Sequence, residues 1–214
     1  SRTMRAAWRL SRTSRAVSEA RSIEQILDGL LETVAYMQLR GVTLRVIVEH
    51  DAEELPLKID VYARASVEGV LQTRVVRGVP AIGFERFIDD PHHFMNFVDA
   101  ADPELPMPER VRQQMQKLGY RGALTTGLTA RGRLIGFLSF SSPEPLTEVP
   151  ERYIRGTTRA LADQVAVALD NLLLREQTQR RAAQLEALSA VEAALSVTST
   201  EPEMLTAIAE AMAG

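Results

Sequence analysis

The sequence predicts an α+β fold in which a central antiparallel sheet carries helices on one side. Three observations point there. Two runs near residues 42 and 57 alternate apolar and polar side chains and are joined by a short polar turn. A second strand pair, from Gly122 to Phe140, contains a strand that is apolar on both sides. Helical spacing dominates both ends of the chain, and the last helix starts near Glu151 and runs on to about Leu195.

Taken in order, the first helical pattern runs from Ala7 to Leu39. Its apolar positions recur at three and four residues from Ile23 through Ile26, Leu27, Leu30, Leu31 and Val34, as an amphipathic helix with one buried face requires. Ser22 and Gln25 are spaced as a capping box, which places a fresh start near Arg21–Ser22. Gly41 ends the element. Val42, Leu44, Val46 and Val48 then share one strand face, and Leu57, Ile59, Val61 and Ala63 share another. The turn His50-Asp-Ala-Glu-Glu between them is too short for a parallel crossover, so the pair is a hairpin. Residues 66–76 read as a short helix capped by Ser66, with Glu68 in its first turn and Gly78 as its stop. Residues 79–88 read as a strand interrupted by Pro80 and Gly83. From Asp89 to Pro108 there is no period and four prolines, which reads as a long loop of the kind that carries function. A helix follows from Pro108 to Leu118, ended by Gly119.

The strand pair comes next. Leu124, Thr126 and Leu128 lie on one face of its first strand. Ile135, Phe137 and Ser139 share a face of the second, while Leu134, Leu138 and Phe140 make the other face apolar too. A strand apolar on both sides belongs in the middle of a sheet, with helices over one face and a loop or ligand over the other. In the last helix Ile154, Leu161, Val165, Ala168 and Leu172 form a seam for a sheet or a partner helix. The run 175–181 is polar all round, and apolar positions resume at Leu185, Leu188, Val191 and Leu195, as in a helix that bridges two domains or crosses a dimer. Segments near the start recur 178 positions later, with Leu10-Ser11 matched by Leu188-Ser189 and the run from Ser22 by the run from Thr200. Residues 200–214 therefore read as the start of a second copy of the same domain. The expected layout is a linker helix at 1–13, a domain at 14–174, a connecting helix at 175–199 and the second copy beyond.

Composition limits the chemistry. The 214 residues are 45% hydrophobic and 25% charged, ordinary for a globular domain. Six arginines against one acid between Arg2 and Arg21 read as a solvated linker face rather than a nucleic-acid patch. The chain has no cysteine, which removes disulfides, thiolate zinc sites, cysteine nucleophiles and thioether-linked cofactors, and fits a reducing, cytoplasmic setting. No apolar run reaches the roughly 18 residues a bilayer span needs. Catalytic triads, phosphate loops and paired carboxylates do not stand out, so the chain is read as noncatalytic.

The run Gly119 to Pro145 resembles the closing strand pair of GAF domains, and Leu161-Ala-Asp-Gln-Val-Ala-Val-Ala-Leu-Asp-Asn-Leu resembles their C-terminal helix. Weaker resemblance extends to Ser22–Leu31, to Arg77-Gly-Val-Pro and to Asp89. The resemblance implies an antiparallel sheet of five or six strands, the first and last helices packed on one face, and a small-molecule pocket on the other. It also implies a sensory role upstream of a kinase, cyclic-dinucleotide enzyme or transcription regulator, and homodimerisation through the terminal helices. Some family properties are missing. Covalent bilin attachment and free methionine sulfoxide reduction both need cysteine. The Asn-Lys…Phe…Asp-Glu signature of cyclic-nucleotide binders is absent, and Asn96-Phe-Val-Asp99 matches it only superficially.

Candidate ligand contacts are Tyr62, Phe94, Phe97, Tyr120, Phe137 and Ser139, chosen as loop aromatics that could roof a pocket and as hydroxyls or rings near the sheet. His92 and His93 are weak candidates for a haem or metal ligand, and the plainer reading is two loop histidines. The functional expectation is a noncatalytic sensory domain that binds an unknown small molecule and signals through its last helix. The alternatives are a ligand-free dimerisation scaffold or a His-ligated haem sensor. No nucleic acid or membrane partner is expected.

Overall fold

The structure, a computed structural model, describes residues 12–36, 39–53, 55–67, 70–81, 83–84, 86–146 and 151–212, with the side chains of 32–36, 67, 151–154 and 194–212 left aside. Most of the linker at 1–13, including Leu10-Ser11, lies outside the described residues, as does the side chain of Ile154. The elements are α1 (residues 12–18), α2 (Ile23–Tyr36), β1 (Gly41–His50), β2 (Pro56–Val67), β3 (Val70–Pro80), α3 (Arg86–Asp89), β4 (Phe94–Phe97), α4 (Glu109–Lys117), β5 (Gly122–Ala130), β6 (Arg133–Ser142) and α5 (Glu151–Met212). The strands form one antiparallel six-stranded sheet in the order β3-β2-β1-β6-β5-β4. β6 is thus an inner strand, as its two apolar faces require, and it is buried from Gly136 to Ser142.

Local chemistry sets the boundaries. The capping box forms: the Ser22 Oγ accepts the Gln25 N–H at 3.3 Å, and the Gln25 Oε1 accepts the Arg21 N–H at 2.7 Å, separating α1 from α2. The Asp51 carboxylate accepts the N–H groups of Glu53 and Leu55 at 2.9 Å each, closing the β1–β2 turn. Arg131 (φ 52°) and Gly132 (φ 75°) both take positive φ, as a two-residue hairpin turn between β5 and β6 demands.

One sheet face holds the main core. Register places Val42, Leu44 and Val46 of β1 beside Phe140, Leu138 and Gly136 of β6, and Leu124 and Leu128 of β5 continue the row. Ile26, Leu27 and Leu30 of α2 and Leu161, Val165 and Leu169 of α5 are buried with them. Asp28 of α2 pairs with Arg64 of β2, and Arg159 of α5 reaches Thr126 of β5, so both helices cover this face. Each buried Leu, Ile or Phe contributes about 1.5–3 kcal/mol relative to exposure. The opposite face is covered by the chain between β3 and β5.

Three expectations fail here. Residues 66–76 are not a helix: β2 runs on through Ser66, which pairs with Leu71, and β3 begins at Val70. The β-branched Thr73, Val75 and Val76 suit an edge strand, and ladder bonds to β2 outweigh the Ser66 cap. Residues 79–88 are not a strand either, because β3 ends at Pro80 and Arg86–Asp89 is a helical turn. A proline without an N–H can close an edge strand but cannot continue it inward. The supposed loop 89–108 contains β4, which pairs with β5 along Phe94–Phe97.

Contacts divide the chain into a unit ending at Leu172 and a second unit from Leu173 onward. The second unit is the remainder of α5, helical through Thr200 and Pro202 to Met212. In it the run 175–181 is exposed all round, and Leu185, Leu188 and Val191 are each more than half exposed. Among the described residues, no helix is long and apolar enough to cross a membrane.

Candidate functional site

Alternation in the three central strands builds a mixed surface on the face away from α2 and α5. β1 contributes Thr43, Arg45 and Ile47, β6 contributes Phe137, Ser139 and Ser141, and β5 contributes Ala123, Thr125 and Gly127. Arg45 sits opposite Phe137 and leans diagonally so that its Nη1 donates to the Ser139 Oγ at 2.5 Å. The Ser139 Oγ is in turn 2.7 Å from the Thr125 Oγ1, a hydrogen bond in which either hydroxyl can donate. The result is a line of one guanidinium and two hydroxyls across β1, β6 and β5.

Apolar groups surround this line. Phe84 stacks on Phe137 with ring centroids 4.0 Å apart and planes 19° from parallel. Phe87 meets Phe137 edge-on at 5.3 Å, and the Arg45 guanidinium carbon lies 5.8 Å from the Phe84 centroid. Ile47, Ile59, Met95 and Leu134 belong to the same cluster. The segment before β4 presses on the sheet, with the Pro91 carbonyl oxygen 2.4 Å from where a Cβ on Gly127 would stand.

Arg45 differs from the arginines of the domain that are held in pairs. Arg64 pairs with Asp28, Arg77 with Asp60, Arg121 with Asp99, Arg131 with Asp170 and Arg159 with Asp163. Arg112 donates to the backbone carbonyls of Ala100, Asp102 and Leu105. No carboxylate among the described residues pairs with Arg45. Burial pushes its guanidinium down to about 10, which still leaves it charged at neutral pH.

The expected ligand contacts divide between the two faces. Phe137 and Ser139 belong to the arginine surface, and Phe97 and Tyr120 lie on the same face in a neighbouring cluster with Ala100 and Met115. The Tyr120 hydroxyl stands 2.7 Å from the point where a Gly41 side chain would begin. Tyr62 and Phe94 lie on the helix side instead. The Tyr62 hydroxyl accepts a hydrogen bond from Arg77 at 3.1 Å, and the Phe94 ring lies 5.5 Å from the Arg155 guanidinium carbon. In α5, Leu161, Val165 and Ala168 are consumed in the domain's own core, while Leu172 is half-buried. His92 is exposed on the turn, its N–H donating to Asp90, and His93 meets the Phe87 ring edge-on at 5.8 Å. Among the described residues no three His, Cys, Asp or Glu side chains converge as a metal site. A separate groove of about 390 Å³, lined by residues such as Arg12, Glu19, Gln25 and Asp28, lies between α1 and α2 and contains none of the expected contacts.

Sequence reasoning missed Arg45, Thr125, Phe84 and Phe87. A signal existed for the first, a lone arginine inside the apolar run Val42–Val48. Its partnership with Ser139 depends on strand pairing across 94 residues and has no local signature.

No protein-family model matches the sequence, and no curated protein matches it. Solved structures do. The chromophore-binding domain of a bacteriophytochrome from R. palustris aligns with a TM-score of 0.58 at 12% identity, over 81% of this chain and 63% of that one. This chain therefore spans under two thirds of that structure. The phycoerythrobilin-bound GAF domain from a cyanobacterial phytochrome aligns with a TM-score of 0.58 at 15% identity, over 81% and 99% of the two chains. A domain of a putative two-component sensor histidine kinase from Sinorhizobium meliloti 1021 aligns with a TM-score of 0.51 at 17% identity, over 76% and 99%. The six-stranded antiparallel sheet with its helices matches these neighbours: the chain has the GAF fold.

Proposed function

We propose that the chain is a noncatalytic, cytoplasmic sensory input domain that takes up a small molecule on its loop-covered face and passes the change to α5. The observation that carries this reading is the Arg45–Ser139–Thr125 line, a polar centre beside an aromatic cluster whose guanidinium has no acidic partner among the described residues. Arg64, Arg77, Arg121, Arg131 and Arg159 each meet a carboxylate, whereas a guanidinium left open beneath a loop is suited to meeting something external. The sensor-kinase domain and the bilin-bound domain among the similar structures support the sensory part of the proposal. A covalent bilin does not fit, because thioether attachment needs a cysteine. The space over Phe137, moreover, is taken by Phe84 and Phe87.

Relay follows from β6. Its Phe137 and Ser139 face the candidate site while its Leu138 and Phe140 face the helices. A ligand that favours one placement of β6 shifts the population of α5 arrangements by its differential affinity for the two states. Homodimerisation through terminal helices belongs to the same proposal. With Leu161, Val165 and Ala168 spent on the core, Val167 in the domain and Leu185, Leu188 and Val191 in the second unit are, among the described residues of α5, large apolar positions open to a partner helix.

Native mass spectrometry of the purified chain, joined to a thermal-shift screen of metabolites, tests the binding claim. A retained or stabilising small molecule supports it; empty spectra and no shift across the screen refute it. The packing of Phe84 and Phe87 onto Phe137 favours a second reading, a closed dimerisation scaffold, and that outcome would favour it over ligand binding. Light scattering that gives a monomer at high concentration would remove the dimer from either reading.

A further inference from the structure

We propose that Arg45, together with Ser139 and Thr125, receives the carboxylate of a small organic monoanion with an apolar body. This inference rests on the ligand-binding reading above and names the class of ligand. A guanidinium carries five N–H donors in a planar fork, and among the described residues Arg45 makes one hydrogen bond to a polar side chain, Ser139. A carboxylate matches such a fork through two parallel, charge-assisted hydrogen bonds. The Ser139 and Thr125 hydroxyls, 2.7 Å apart, share one hydrogen bond and leave one O–H to extend the donor set along the same line. A half-buried cation with no counter-charge among the described residues gives up part of its hydration, a cost that an anion would offset.

Charge selects the class. Five other arginines of the domain are matched to a carboxylate, and Arg112 meets three backbone carbonyls and Glu109. The line of Arg45, Ser139 and Thr125 carries one positive charge. A carboxylate balances it, whereas a phosphate monoester at about −1.5 to −2 would bring uncompensated charge into the site. The Phe84–Phe137 stack, beside the guanidinium, offers an apolar wall to the remainder of the molecule. An aliphatic or aromatic acid satisfies both halves.

The experiment compares acids with their neutral isosteres. Benzoate, indole-3-acetate and hexanoate, each beside its amide, are titrated by calorimetry and thermal shift into the full chain and into Arg45→Met. The wild-type chain should bind at least one acid about 10- to 100-fold more tightly than its amide, the loss expected for charge-assisted hydrogen bonds. Arg45→Met should bind acid and amide alike. Equal binding of acid and amide by the wild type overturns the inference and leaves the ligand-binding reading standing. No acid-dependent shift up to about 10 mM also overturns it, and the ligand-binding reading is then judged by the retained-mass experiment alone. A second readout needs no ligand. Removing an uncompensated cation in favour of an apolar side chain of similar length should hold or raise the midpoint of thermal unfolding, by up to about 2–4 °C. A clear fall in that midpoint would assign Arg45 a structural role and overturn the proposal.

Discussion

Gly127 is where the loop cover and the sheet meet most closely, and substituting alanine there tests whether the cover is fixed. A Cβ at Gly127 would lie 2.4 Å from the Pro91 carbonyl oxygen, 3.0 Å from the Leu134 Cδ1 and 3.2 Å from the Pro91 carbonyl carbon. Ordinary contact begins at 3.4 Å, so the backbone at Pro91 must withdraw by roughly 1 Å, a distance over which dispersion contacts are largely lost. Leu134 can rotate, but a backbone carbonyl cannot yield alone. It is tied to the turn in which His93 N–H donates to Asp90 O at 2.9 Å and His92 N–H donates to the Asp90 carboxylate at 3.0 Å. Gly127→Ala should therefore cost about 1–3 kcal/mol, the usual range for overpacking a well-filled site. Urea unfolding measures the loss, and amide exchange at residues 90–97 should quicken as the cover lifts. A variant within about 0.5 kcal/mol of wild type, with unchanged exchange in that segment, would refute the claim that the loop is pressed onto β5.

Three further outcomes follow from individual contacts. Arg112→Lys should cost about 1.5–3 kcal/mol and expose residues 99–107 to limited proteolysis, because one ammonium cannot replace a fork that reaches three carbonyls at 2.6, 2.6 and 2.9 Å; an unchanged cleavage pattern would contradict this. The Arg121 guanidinium, first, and the Ala101 N–H hold the Asp99 carboxyl below the usual carboxylate range. That stabilisation is complete above about pH 4 and is lost as pH falls through the lowered folded value. Urea midpoints measured from pH 7 to 3 should fall less steeply in Asp99→Asn than in wild type. Gly156→Ala should stabilise by about 0.5–1 kcal/mol, since an exposed helical glycine is disfavoured and no atom lies within 4 Å of the added Cβ; a loss in the melting midpoint would show that the first turns of α5 pack against something.

What the sequence revealed depended on how strongly each segment's burial is one-sided. β1 and β2 alternate because one face of each meets a core, and β6 is apolar throughout because it is covered twice, so all three were legible. β3 was not, because it lies at the sheet edge and is exposed along almost its whole length, leaving no apolar rhythm to read. β4 is four residues long, too short for periodicity to distinguish from loop. Leu134 was placed with Leu138 and Phe140 by alternation, yet it packs in the Phe137 cluster. A register shift between Leu128 and Thr129 moves it to the other face, as a one-residue irregularity must. Half of the site was visible for the same reason that half was hidden. Phe137 and Ser139 stood out within one strand, whereas Arg45 and Thr125 become their neighbours only through pairing, and Tyr62 and Phe94 look equivalent to them until the register assigns them to the helix side.

β6 joins these observations physically. Successive side chains of a strand point to opposite faces, so Phe137 and Ser139 cannot shift without Leu138 and Phe140 responding. The latter two are fully buried in the core that also holds Leu161, Val165 and Leu169 of α5. Interiors packed at crystal-like density transmit displacement rather than absorb it. An anion drawn to Arg45 would pull on the Ser139 hydroxyl, and therefore on an inner strand whose other face lies in the core shared with the exit helix. The polar line and the helix seam are separated by the thickness of a single sheet. Coupling between them needs no path through loops, only a ligand whose affinity differs between two positions of β6.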